Sequence, residues 1–323
     1  MFKPLSLSLL LSIPAAAQAD NLRVVVNLAP LHSLTAQVMG DTGTPELLTK
    51  PGTSAHGHAL RPSEAQRLQK ADMVVWLGAA MSPWLADALK EMSTQAVNLP
   101  LLDAEGLTLL TQRGAHNHDH DEEHHDDHDK HEGEEHAHEE DHEEGHDDHD
   151  DDEAPRVDTH AWLNPDNAVI WLSTIAEGLA AQDPANAEAY RANAAAAAKA
   201  IAEQATKTEA RLAPLADHEF LTAHDAYQYY EARFGLTSHA AITDSDDQDA
   251  GPAHLREVLS ASPDMGCFVT EPGTSAATIT LVTDTLDIPH VKIDPLGADL
   301  PVGADHYSAH MSSLADGFAE CLG

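Results

Sequence analysis

The sequence predicts an α/β protein of two lobes, each with a mainly parallel sheet flanked by helices, joined by one long rigid helix. Three observations lead there. Short β-branched apolar runs alternate with helical stretches in both halves of the chain, the pattern of βα units around a buried parallel sheet. A long alanine-rich helical stretch separates the two halves. A chain of 323 residues is also too long for one ordinary core and suits two.

In the first half, Leu22–Leu28 and Met73–Leu77 read as strands, while Leu31–Met39, Arg61–Ala71 and Pro83–Met92 read as helices. In the second half the strands are Phe220–Ala223, His239–Ile242, Cys267–Glu271 and Val291–Asp294. Between them, Asp183-Pro184 sets an N-cap followed by proline at the first helical position. No breaker follows until Pro214, and Glu203 and Lys207 stand four apart in the favourable order. About thirty helical residues would measure ~45 Å, the length of a whole domain. So poor in large apolar side chains, this stretch is expected to act as a loosely packed rod. The expected division is 20–182 for the first lobe, 183–213 for the linker helix and 214–323 for the second lobe.

The first nineteen residues have one cation (Lys3), an apolar run over Leu5–Ile13, and small residues at Ala17 and Ala19 before Asp20. That is the pattern of a secretory signal peptide, 1–19. Its apolar core is shorter than the ~20 residues that span a bilayer. A periplasm-like compartment is the expected location, and there Cys267 and Cys321 read as a disulfide.

The net charge of −38 excludes nucleic acid as a partner, since phosphate binding needs a basic surface. Residues 116–153 alone hold 21 acids against one lysine, with 12 of the 23 histidines. With almost no apolar side chains, this insert in the first lobe cannot offset ordering entropy and is expected to be disordered. It is expected to bind divalent metal weakly at several places, as a zinc-collecting or zinc-sensing segment. It contains His138-Glu139-Glu140-Asp141-His142 and His142-Glu143-Glu144-Gly145-His146, matches to a zinc-protease motif that chance supplies in such a tract. The motif works only on a helix that fixes both imidazoles and the base.

Three histidines outside the insert share a context. His56 lies in a loop before the Arg61 helix, His160 before a helix opened by Asn164-Pro165, and His224 after the Phe220–Ala223 strand. Each stands at the carboxyl end of a strand or in the loop leading from it, the edge where open α/β sheets bind ligands. Three imidazoles suit borderline-soft Zn²⁺ better than Mg²⁺ or Ca²⁺.

Gly52-Thr53-Ser54-Ala55-His56 with Leu60-Arg61-Pro62-Ser63, His160-Ala161-Trp162-Leu163, His224-Asp225-Ala226-Tyr227, Glu271-Pro272 and Asp294-Pro295-Leu296-Gly297 carry a resemblance. Over essentially the whole mature chain, the sequence resembles the zinc-binding components of bacterial ABC-type zinc importers, in the cluster A-I substrate-binding family. The resemblance implies a non-enzymatic receptor that captures Zn²⁺ and delivers it to an integral-membrane permease of an ABC importer, acting as a monomer. It implies His56, His160 and His224 as metal ligands. Some zinc relatives carry an acid just before the first histidine, where this chain has Ala55. The fourth ligand is therefore left to Asp294 as first candidate, with Glu271 or water as alternatives. His58 is expected to be dispensable. His32, His218, His239, His254, His290, His306 and His310 are expected to be surface or packing residues. Relatives selective for manganese or iron, which carry a carboxylate where His224 stands, supply the rival reading. A zinc-dependent hydrolase is disfavoured because no general base or oxyanion donor can be assigned. A metal-buffering protein is a further alternative.

Overall fold

The computed structural model describes residues 22–54, 56–92, 95–113, 156–243, 251–262 and 265–323. The expected signal peptide, the insert 116–153 and Ala55 lie outside the described residues. In the first lobe, strands β1 (Val24–Val26), β2 (Glu46–Leu47), β3 (Met73–Trp76) and β4 (Val97–Pro100) form a parallel sheet in the order β2-β1-β3-β4. Helices α1 (Ala29–Met39), α2 (Pro62–Lys70) and α3 (Pro83–Glu91) connect them. Every residue of β1 and β3 is buried, as strands covered on both faces must be.

Helix α4 (Pro165–Gln182) is opened by Asn164, whose side chain accepts the amide of Asp166. Helix α5 (Ala187–Leu212) then runs 26 residues, flanked by single 3₁₀ turns at Pro184–Asn186 and Ala213–Leu215. It is more than a loose rod. Tyr190, Ala194, Ala197, Ile201, Ala205, Thr208 and Leu212 make a continuous buried stripe at three- and four-residue spacing. Alanine suits this face because its small side chains let α5 lie close against α1 and α4. On its exposed face Glu203 pairs with Lys199.

The second lobe has strands β5 (Glu219–His224), β6 (Thr237–Thr243), β7 (Phe268–Thr270) and β8 (His290–Lys292), all parallel, in the order β6-β5-β7-β8. Helices α6 (Gln228–Phe234), α7 (Pro252–Ala261) and α8 (Ala276–Leu286) intervene. The last helix, α9 (His306–Leu322), crosses back to pack on α1 and α5 as well as on β8. The Cys267–Cys321 disulfide is present and ties the start of β7 to the end of α9, with Cα atoms 5.6 Å apart. That separation is ordinary for a disulfide.

The two sheets share one strand order, counted within each lobe. In both, the crevice at the carboxyl ends of the first and third strands is the place where such sheets receive ligands. One apolar cluster runs through both lobes, from Val24 and Val26 through Trp162, Trp171 and Tyr190 to Phe220, Tyr229 and Phe318. Hydrogen bonds cross with it. The indole of Trp162 donates to Pro295 O at 2.7 Å, and the Tyr307 hydroxyl donates to Trp162 O at 2.9 Å. Among the described residues no helix is long and apolar enough to cross a membrane.

Candidate metal centre

His56 reaches the cleft from the long loop between β2 and α2. Ser54 Oγ accepts the amides of His56 and Gly57, a turn that a short hydroxyl side chain makes locally. Farther on, His58 donates to buried Glu64 at 2.7 Å, and its ring stands edge-on to Trp84 at 4.9 Å. The same Glu64 oxygen accepts the amide of Arg61 at 2.8 Å, capping α2. Engaged with Glu64 and Trp84, His58 fastens the loop that carries His56.

His160 comes from the segment that closes the insert. Residues 110–112 pair antiparallel with 156–158 through Gln112 N to Arg156 O and Asp158 N to Leu110 O. Asp158 then accepts both the amide and Nδ1–H of His160, at 3.0 and 2.8 Å. His224 ends β5, at the crevice of the second sheet, and its Nδ1–H donates to Glu271 at 3.2 Å, just beyond β7. Both residues are 4% exposed.

These carboxylates settle the chemistry of the rings. A carboxylate only accepts, so Nδ1 carries the proton in His160 and His224, and Nε2 keeps its lone pair for the cleft. The Nε2 atoms of His56 and His160 approach to 3.2 Å, and His224 completes a group whose ligand atoms all lie within 4.8 Å of one another. Two nitrogens on a tetrahedral zinc stand ~3.3 Å apart, given Zn–N bonds of about 2.0–2.1 Å. The structure therefore brings His56, His160 and His224 together.

Asp294 is placed otherwise. Its two carboxylate oxygens accept the amides of Leu296 and Ala298 at 2.8 and 2.7 Å, and its carbonyl meets the His310 ring at 3.0 Å. Both oxygens are committed to a turn in which Gly297 has φ +63°, and a Cβ there would stand 3.0 Å from the His310 ring. Asp294 stays outside the converging group, in the turn role that a residue before Pro295 naturally takes. Glu271 stands behind His224, with its second oxygen buried. Tyr227 is wholly buried beside these acids. Burial first, then the Glu271 and Asp294 charges, hold its phenol well above the ordinary range, so it stays neutral and donates to Ile293 O.

Of the remaining histidines, His32, His306 and His310 are buried and hydrogen-bond to backbone carbonyls. Sequence reasoning assigned no role to Asp158, Glu64 or Arg113. An acid two residues before a ligand histidine was a usable signal for Asp158. Glu64 and Arg113 carry no comparable mark in the sequence.

A family model described as "Zinc-uptake complex component A periplasmic" matches residues 24–321. The High-affinity zinc uptake system protein ZnuA of Paracoccus denitrificans is 39% identical over 329 residues, covering 100% of this chain and 99% of that relative. The protein of the same name from Brucella abortus (strain 2308) is 35% identical over 304 residues, covering 93% and 91%. A zinc-bound crystal structure of a ZnuA deletion mutant superposes with a TM-score of 0.72 at 19% identity, covering 94% of this chain and 98% of the other. At that identity the likeness speaks for the fold.

Proposed function

The chain belongs to the periplasmic zinc-uptake component A family, and from that membership we propose that it captures Zn²⁺ in the periplasm and hands it to the permease of an ABC importer. The family is one of receptors, not enzymes, and zinc is cargo here. His56, His160 and His224 hold the ion through Nε2, with Asp158 and Glu271 fixing the tautomers of His160 and His224. Three nitrogens favour zinc over the harder manganese and iron(II). Water fills the fourth position, because Asp294 has both oxygens engaged in its turn and Glu271 is held on the far nitrogen of His224. The observation that carries this reading is the convergence of the three histidines from separate segments of both lobes.

On this reading residues 1–19 are removed on export, and the mature receptor is a monomer of a first lobe at 20–182, a linker at 183–213 and a second lobe at 214–323. The acidic tract 116–153 acts as a weak zinc-collecting or zinc-sensing segment, whose covalent tether raises the effective concentration of the zinc it holds. Calorimetry with zinc on the mature chain and on its His56→Ala, His160→Ala and His224→Ala variants tests the assignment. Each variant should lose at least about tenfold in affinity for the tight site. An unchanged affinity in His224→Ala would remove that residue from the site and the zinc preference with it.

A further inference from the structure

The side chain of Arg113 joins the two lobes beside the metal centre. It belongs to the first lobe, immediately after the short ladder of 110–112 with 156–158. Its guanidinium forks onto two carboxylates of the second lobe. It holds Asp225, the residue after His224, through Nε at 3.1 Å and through Nη2. It holds Glu231, on α6, at 2.8 and 3.2 Å. Both acids are nearly buried, at 10% and 6% side-chain exposure, whereas Arg113 keeps 28%. Glu231 has a further tie, to the hydroxyl of Ser238 on β6 at 3.0 Å.

The other end of the ladder carries Asp158, which orients His160. Tyr229, on α6, closes the arrangement, for its hydroxyl donates to Asp158 O at 2.7 Å and accepts the amide of Leu110 at 3.0 Å. One rigid unit thus fixes His160 at one end and grips the neighbour of His224 at the other.

We propose that Arg113 is a positioning residue for zinc, registering His224 against His160 through its paired grip on Asp225 and Glu231. This rests on the zinc reading of the three histidines. Two features make Arg113 suited to it. A planar fork with five donors can satisfy two carboxylates in fixed directions, which an ammonium cannot. The grip also falls one residue from a ligand, so a small displacement at Asp225 passes directly to the His224 ring. Elsewhere between the lobes, the Trp162 and Tyr307 hydrogen bonds keep the fold joined without Arg113.

The test compares the unaltered mature chain with Arg113→Gln, Arg113→Lys and Asp225→Asn. Zinc affinity is measured by chelator competition, and Co²⁺ replaces zinc to report coordination through its visible absorption. Zinc-free unfolding midpoints are taken in parallel. Tight binding by the unaltered chain tests the zinc reading by itself, and the ratio of variant to unaltered affinity tests the clamp. Arg113→Gln and Arg113→Lys should both lose about tenfold in affinity and weaken or shift the Co²⁺ bands, as loss of an orienting partner does. Arg113→Lys should keep most of the unfolding midpoint because it keeps the charge. If Arg113→Gln does not fold, Arg113→Lys and Asp225→Asn carry the comparison, since each leaves one partner for Glu231 or for Arg113. Affinity within twofold in Arg113→Lys and Asp225→Asn, with unaltered Co²⁺ bands, overturns the proposal. So does an affinity loss in Arg113→Gln that Arg113→Lys fully restores, since that would make the charge alone sufficient.

Discussion

Replacing His58 by alanine separates two views of the loop that carries His56. On sequence grounds His58 is a bystander two residues from a ligand. In the structure its side chain is 7% exposed and donates to Glu64, itself 2% exposed, at 2.7 Å. A hydrogen bond to a charged group contributes about 1.5–3 kcal/mol, and its loss leaves part of a buried carboxylate unsatisfied. The edge-on contact with Trp84 adds roughly 0.5–1.5 kcal/mol. Glu64 keeps the Arg61 amide, so the α2 cap survives in part. The expected cost of His58→Ala is therefore about 3 kcal/mol in urea unfolding of the zinc-free protein. Zinc affinity should also fall at least about fivefold, because re-fixing even one loosened backbone residue on binding costs ~1 kcal/mol. His58→Gln, which retains a donor, should recover part of both. Unfolding of His58→Ala within about 0.5 kcal/mol of the unaltered protein would show that no such anchor operates.

Three further expectations concern separate parts of the molecule. The Cys267–Cys321 disulfide closes a sequence separation of 54, so its removal should cost about 4 kcal/mol on the loop-entropy model, seen as a lower urea midpoint. A reduced protein with an unchanged midpoint would contradict this. His310 is fully buried, and burial above all, with His306 assisting against the opposing Asp294 carbonyl, lowers its pKa from 6.5 to about 4. Its folded pKa is below its unfolded one, so stability is complete above about pH 6.5 and is lost as pH falls toward about 4. That amounts to about 2 kcal/mol between about pH 8 and pH 5, which His310→Gln should remove from the pH dependence of unfolding. Zinc binding should weaken on acidification, because protons compete for the three imidazoles. Calorimetry giving the same affinity at about pH 8 and pH 5.5 would speak against three-histidine ligation.

The strands that were legible in the sequence were those with long buried apolar runs, such as Met73–Trp76 and Glu219–His224. Glu46–Leu47 and Val97–Pro100 left no such signal. The first is two residues long and the second is only partly buried, so neither needs a continuous apolar pattern. The three histidines were visible because each stands in a short motif near a strand end. Asp294 was ambiguous because a carboxylate before Pro-Leu-Gly reads equally well as a ligand or as a turn residue. The Leu296 and Ala298 amides on its two oxygens, invisible in the sequence, favour the turn. Arg113 was not legible at all, since its partners lie 112 and 118 residues away.

The apolar cluster that runs unbroken through both lobes limits how the cargo can leave. Trp162, Tyr229 and Tyr307 are fully buried where the lobes meet, each hydrogen-bonded across the boundary. Prising the lobes apart would wet three aromatic side chains of ~150–250 Å² each, on the order of 15 kcal/mol at ~25 cal/mol per Å². Even a nanomolar ligand supplies only ~12 kcal/mol, so zinc arrival or departure has little to spare for a wide hinge in this molecule. If the three histidines hold zinc, exchange with the jaws nearly still would run by way of His56, which stands on the loop between β2 and α2.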